Sequence, residues 1–196
     1  VLGILGRVGT AIAAAVAVVA LLGAPAALVL LAHRVVGLSM APTLADGELV
    51  VTNPFDHHPT RFEVVLLARS SGATQLIKRV VGLPGDRIRI AATPAGPRIQ
   101  VWPSGGTRWW VVERSGAASG WTTRIECCAA DGRLSNQPRA AGIPPGEYFV
   151  LGDNPDLSID SREFGFTRPG AVRAVVVGRL WPPAALPRGD RLAPAK

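Results

Sequence analysis

The pattern of apolar and polar positions divides the chain near residue 35. From Val8 to Ala32 there are 25 residues without a formal charge, nearly all Ala, Val, Leu or Ile. A helix needs about 20 such residues to cross a bilayer, so one N-terminal transmembrane helix is expected, with Pro25 tolerated as a kink. A cleavable secretory signal is the rival reading, because Ala24-Pro25-Ala26 has the small-x-small form behind an apolar stretch. The run continues through Leu28-Val29-Leu30-Leu31, which favours an anchor. Arg7 flanks one end and Arg34 the other, so charge does not orient the span.

Beyond it the apolar runs shorten and are punctuated by Gly, Pro, Asp and Asn. Gly47 to Asn53, Phe62 to Ala68, Gln75 to Val81 and Asp86 to Ala91 read as strands, with Ile88 and Ile90 alternating against Arg87 and Arg89. Further strands are expected near Ile99 to Trp102, Arg108 to Arg114 and Trp121 to Glu126, then at Glu147 to Leu151 and Ala171 to Leu180. Helical periodicity is absent after the apolar span, and the 17 prolines mark many turns. The expectation is a mostly β chain with an antiparallel or mixed sheet. An anchor at 1–34 precedes a core in two parts, 35–91 and 143–182. A smaller β subdomain is inserted at 92–142, and a Pro-rich basic tail follows at 183–196.

Charge narrows the partners. A net charge of +7 and a pI near 10.9 suit an anionic surface such as lipid headgroups. The cations are scattered singly and the aromatics do not interleave with them, which is unlike a base-stacking platform, so no nucleic-acid partner is expected. The tryptophans, Trp102, Trp109, Trp110, Trp121 and Trp181, suit either membrane contact or a core. Cys127 and Cys128 are adjacent, a poor geometry for an ordinary disulfide. Free thiols, a strained vicinal bridge and a link to another chain all stay open. Neither that pair nor His57-His58 has a usual ligand spacing, so no metal and no cofactor are expected.

One compositional oddity points to chemistry. Of 21 basic residues, all but Lys78 and Lys196 are arginine. A guanidinium stays protonated, whereas a desolvated ammonium can lose its proton and act as a base. Ile77, Val80 and Val81 surround Lys78 and offer such an environment. A solubilising edge-strand lysine is the plain alternative. A serine served by such an amine would be a nucleophile without histidine. A Ser-His-Asp triad has little to draw on, since His33 lies at the apolar boundary and His57-His58 in a Pro-flanked turn.

Four stretches then stand in order: Ser39-Met40-Ala41-Pro42-Thr43; Asp46-Gly47-Glu48-Leu49-Val50-Val51; Lys78-Arg79-Val80-Val81-Gly82-Leu83-Pro84-Gly85-Asp86; and Gly152 to Gly165. Together they resemble the successive motifs of bacterial type I signal peptidases over about Val35 to Pro182. The resemblance implies a membrane-tethered serine endopeptidase that removes signal peptides from preproteins after small-x-small sites, outside the cytoplasmic membrane. It implies Ser39 as nucleophile, Lys78 as general base, Ser158 as the hydroxyl that orients the amine, and Asp160 with Arg162 as a buttressing pair. Asp153 and Asn154 read as turn-shaping residues, and Arg79 as a charged structural one. The Ser39 backbone N–H is the expected oxyanion donor. Some members of the family carry a second donor as a serine two positions earlier, where this chain has Gly37. Leu38, Met40, Gln75, Leu76 and Ile77 are expected to line the substrate, with a peptide added to a sheet edge. Only about seven residues separate Ala32 from Ser39, which brings the site close to the membrane. A peptidase dedicated to one precursor, and a non-catalytic membrane-bound β scaffold, are the other readings. A self-cleaving repressor-type protein would need an Ala-Gly site ahead of its serine, and Val1 to Leu38 has none. Oligomeric state is left open.

Overall fold

The computed structural model describes residues 31–68, 75–93, 96–113, 128–135, 139–186 and 190–195. The expected transmembrane helix falls outside these residues up to position 30, while Ala32 to Arg34, expected to end the anchor, form a β-strand. The strand expected at Trp121 to Glu126 also falls outside. Among the described residues no helix is long and apolar enough to cross a membrane.

Two antiparallel sheets form the fold. The first contains β1 (Ala32–Arg34), β2 (Leu49–Asn53), β3 (Val64–Ala68), β4 (Gln75–Gly82), β9 (Phe149–Leu151) and β10 (Val172–Trp181), in the order β1-β2-β10-β3-β4-β9. The second contains β5 (Arg87–Ala91), β6 (Arg98–Trp102), β7 (Trp110–Glu113), β8 (Ala141–Gly142) and β11 (Arg191–Pro194), in the order β11-β7-β6-β5-β8. One short helix, α1 (Ser161–Phe164), follows β9. Thus the second sheet draws strands from 87–91 and 191–194 as well as from 92–142. The proline-rich C-terminal segment contributes β11, paired with β7 from Arg191↔Glu113 to Pro194↔Trp110. Its polar and proline content hid that strand, which lies at an edge where Pro is tolerated.

The sheets are joined at the turn from β4 to β5. Gly85, at φ +85°, turns the chain. Asp86, 2% exposed, accepts from Leu83 N–H at 2.6 Å and from Ser104 N–H at 2.9 Å, and pairs with Arg61 at 2.9 Å. The two ends of one short acid therefore hold a turn, the second sheet and the segment before β3. Val81, Phe149 and Leu151 of the first sheet pack with Ile88, Ile90, Ile99 and Val101 of the second in one buried cluster. Full burial of each such side chain contributes roughly 1.5–3 kcal/mol, so this seam fixes how the first sheet meets the second.

Strand β4 is apolar or buried on both faces from Lys78 onward, with Leu76, Lys78 and Val80 on one face and Ile77, Arg79 and Val81 on the other. It pairs with β3 along its length, with Val65 opposite Lys78. Strand β9 pairs only with Arg79 to Gly82. Among the described residues, the other edge of Gln75 to Lys78 has no partner strand.

Candidate active site

Ser39 lies in the loop between β1 and β2. The loop is pinned by apolar anchors on both sides of the serine, because Val35, Met40 and Leu44 are each at most 2% exposed and pack with Val50, Val64 and Val176. The Ser39 carbonyl accepts from the Asn154 N–H at 2.9 Å, which ties the loop to the segment after β9. The Ser39 N–H meets no protein acceptor among the described residues.

Lys78 is 2% exposed, and its Nζ lies 2.9 Å from Ser39 Oγ. An ammonium donates across that contact, and a neutral amine accepts from the hydroxyl. Burial lowers the Lys78 pKa from 10.5, while the charges of Asp160 and Asp153 raise it and Arg162 lowers it further. Desolvation wins because neither carboxylate touches the amine. The side chain is thus placed where its neutral form is favoured and a single hydroxyl is within reach.

The segment from Gly152 to Gly165 closes the site from behind. Asp160, fully buried, caps α1 by accepting from the Arg162 N–H at 3.2 Å and also accepts from the Gly152 N–H at 3.0 Å. Arg162 returns Nε to Asp160 Oδ1 at 2.8 Å and Nη2 to Oδ2 at 2.9 Å, then reaches the Pro155 carbonyl at 2.9 Å. Both ends of the loop are fixed by this one fork-to-carboxylate pair. A Cβ on Gly152 would overlap the Ser158 side chain and the Ser39 carbonyl, so glycine is what lets the three segments meet. Ser158 is buried beside them, and its Oγ has no hydrogen-bond partner among the described residues. The bond expected between Ser158 and the lysine amine is therefore not formed here, although the hydroxyl is delivered to the same corner.

Arg79, next in sequence to Lys78, points to the opposite face and belongs to a separate network. Its Nε meets Asp153 Oδ1 at 2.9 Å and Asp190 Oδ2 at 3.2 Å, and Nη2 meets the other Asp153 oxygen. Its remaining donors go to the Phe62 carbonyl at 2.8 Å and Thr43 Oγ1 at 3.3 Å. Phe62 has φ +72°, a left-handed conformation that costs a side-chain-bearing residue about 1–2 kcal/mol. Its N–H bonds the Val80 carbonyl at 2.7 Å while its carbonyl takes the guanidinium, which holds it there. Asp153 is thus a full ion-pair partner and not only a turn residue, and Asp190 was not foreseen at all. No local signal joins Arg79 to an acid 74 positions away.

The other expected residues separate into two groups. Gln75 and Leu38 are exposed, Leu38 at 53%, and Leu76 and Ile77 are half-buried along the unpaired edge of β4. Met40 is enclosed at 1% exposure and faces the core with Ile77 packed near it. Gly37, at φ +86°, donates its N–H to Asp46 Oδ1 at 2.7 Å. That N–H is engaged away from the serine. Cys128 is disulfide-bonded, and the chain has one other cysteine, Cys127. Among the described residues there is no group of three His, Cys, Asp or Glu side chains able to hold a metal.

The family described as signal peptidase, peptidase S26, matches residues 7–101 and 111–181. Signal peptidase I of Bacillus caldolyticus is 32% identical over 158 residues, which cover 76% of this chain and 79% of that protein. Signal peptidase I V of Bacillus subtilis is 32% identical over 153 residues, covering 74% and 82%. A crystal structure of a signal peptidase I from Enterococcus faecalis aligns with 60% of this chain and 95% of that one, at 23% identity and a TM-score of 0.42.

Proposed function

The chain belongs to the signal peptidase family, peptidase S26, and from that premise we propose that it removes signal peptides from preproteins by acyl-enzyme catalysis on Ser39 with Lys78 as base. The observation that carries this reading is the 2.9 Å approach of a buried lysine amine to one serine hydroxyl. A serine hydroxyl is a weak nucleophile until a base takes its proton. Neutral Lys78 accepts that proton as Ser39 Oγ attacks the scissile carbonyl. The ammonium so formed is buried, and the negative charges of Asp160 and Asp153 stabilise it at the moment it appears. The Ser39 N–H is the oxyanion donor in this reading, because it has no competing acceptor among the described residues. Lys78 then gives its proton to the leaving amine, and the same amine activates the water that releases the acyl group.

The substrate binds as an added strand on the edge of Gln75 to Lys78 that has no partner strand among the described residues, where side chains alternate. Ile77 lies on that edge, and exposed Leu38 immediately precedes the serine. The small-x-small preference belongs to this proposal. So does a single N-terminal span that holds the catalytic sheets at the outer face of the cell membrane, for which the 25-residue uncharged run is the support. Asp160 and Arg162 act as positioning residues for the loop that carries Ser158.

The test is cleavage of a preprotein by the purified full chain. Ser39→Ala and Lys78→Arg are each expected to lower turnover by about 10³-fold or more, since the first removes the nucleophile and the second substitutes a cation that stays protonated. The wild-type rate should rise with pH, because the neutral amine is the active form. Wild-type turnover in either variant, or a rate governed by a group titrating near 6.5 as an ordinary histidine does, contradicts the dyad.

A further inference from the structure

A groove of about 580 Å³ is lined by Leu76, two residues before Lys78 on the same face of β4, and by Ile159, next in sequence to Ser158. Leu67, Leu76 and Phe164 form its apolar floor, and Ile159, 53% exposed, stands on its wall between Ser158 and Asp160. Its rim is cationic. Arg168 and Arg173 are exposed and have no acidic partner among the described residues, while Arg133 on the same rim pairs with Asp131 at 3.4 Å. Glu163 is the one acid of the lining and makes no ion pair with these arginines.

The position of the groove relative to Lys78 says which part of a substrate meets it. In the reaction proposed above, the lysine amine returns its proton to the leaving nitrogen, so the leaving nitrogen must lie at Lys78 Nζ. Lys78 and Leu76 share one face of β4. The residues before the cut take the in-plane edge of Gln75 to Lys78, and β9 occupies that edge beyond Lys78. The chain attached to that nitrogen therefore leaves the plane of the sheet on the face of Lys78 and Leu76 and turns between that face and Ile159 into the groove. We propose that this groove receives the first residues of the mature protein during cleavage, and that Arg168 and Arg173 favour aspartate or glutamate there. The inference rests on the signal-peptide-cleaving reading and adds a charge preference downstream of the cut. Apolar stems can lie on Leu67, Leu76 and Phe164 while a carboxylate reaches the rim, which is why an acidic segment fits better than a purely apolar one.

The test uses the full chain in neutral detergent and three peptides identical through the cut, with Asp, Asn or Lys at the second to fourth residues after it. Wild type should cleave the Asp peptide about five-fold faster in kcat/KM than the Asn peptide, the scale of partly exposed ion pairs. Arg168→Ala with Arg173→Ala should bring that ratio close to one, and Arg168→Glu with Arg173→Glu should invert it in favour of the Lys peptide. Cleavage of the Asn peptide reports that each variant is folded, and the single substitutions Arg168→Gln and Arg173→Gln give the same readout with less change in charge. An equal ratio in wild type and variants, or no preference in wild type, overturns the inference and leaves the peptidase reading standing. Failure of wild type to cleave any of the three overturns both. Binding to phosphatidylglycerol vesicles that falls on charge reversal, with the Asp preference intact, assigns these arginines to lipid headgroups and also overturns it.

Discussion

Lys78 and Arg79 are consecutive on β4, equally buried at 2% and 3% exposure, and oppositely furnished. Arg79 has two carboxylates, a carbonyl and a hydroxyl around its guanidinium. Burial alone would lower its pKa, but the hydrogen bond and charge of Asp153 together with Asp190 outweigh it, and the pKa is raised. Among the described residues the Lys78 amine meets only the Ser39 hydroxyl, so burial prevails and its pKa is lowered. Burial does not fix the charge of a basic group. The number of acids allowed to touch it does. The pleat of one strand is enough to keep the two environments apart, with a structural ion pair on one face and a base on the other.

The largest effect that separates the two faces is on stability. Arg79→Met leaves Asp153 and Asp190 facing each other without a cation, and should lower the unfolding free energy by about 3–5 kcal/mol. Lys78→Met removes an amine that has been taken out of water without a carboxylate in contact, and should unfold at the same urea concentration as wild type or at a higher one, while losing cleavage altogether. Equal destabilisation by the two substitutions would abolish the distinction drawn between them. A smaller effect sharpens it. Asp190→Asn keeps the Asp153 fork on Arg79 and weakens one ion pair to the C-terminal segment, for an expected loss of about 1 kcal/mol in urea unfolding with cleavage kept. A loss as large as that of Arg79→Met would mean that Asp190, not Asp153, is the main counter-charge.

Much of this arrangement was legible in the chain. The runs expected as strands at 47–53, 62–68, 75–81, 86–91, 99–102, 108–114, 147–151 and 171–180 coincide with β2 to β7, β9 and β10, with β4, β6 and β10 each extending one residue beyond its run, because alternation and bounding Gly or Pro carry the β signal. The strand β1 was hidden at the end of the long apolar run, where no alternation marks it. The strands β8 and β11 are two and four residues long and are defined by their partners β5 and β7. The four residues of α1 are set by the Asp160 cap and not by an apolar period. At the site, the lone internal lysine and the order of the motifs led to Ser39 and Lys78. The Arg79 network did not follow, since Asp153 and Asp190 reach it only through the folded sheet. The Ser158 hydroxyl was expected on the amine and lies without a partner among the described residues, a difference of side-chain orientation that motif order does not encode.

The proton affinity of Lys78 tests the central claim most directly. The chain has two lysines, Lys78 and Lys196, so selective labelling of lysine with ¹³C at the ε carbon gives two resonances, and Lys78→Met assigns them by removing one. The account predicts that the Lys78 resonance titrates below 10.5, with the amine losing its proton as pH rises through that lower value, and that Ser39 is cleavage-competent only on the deprotonated side. A Lys78 resonance that titrates at or above 10.5 would show an amine that stays charged, and would contradict its role as the base.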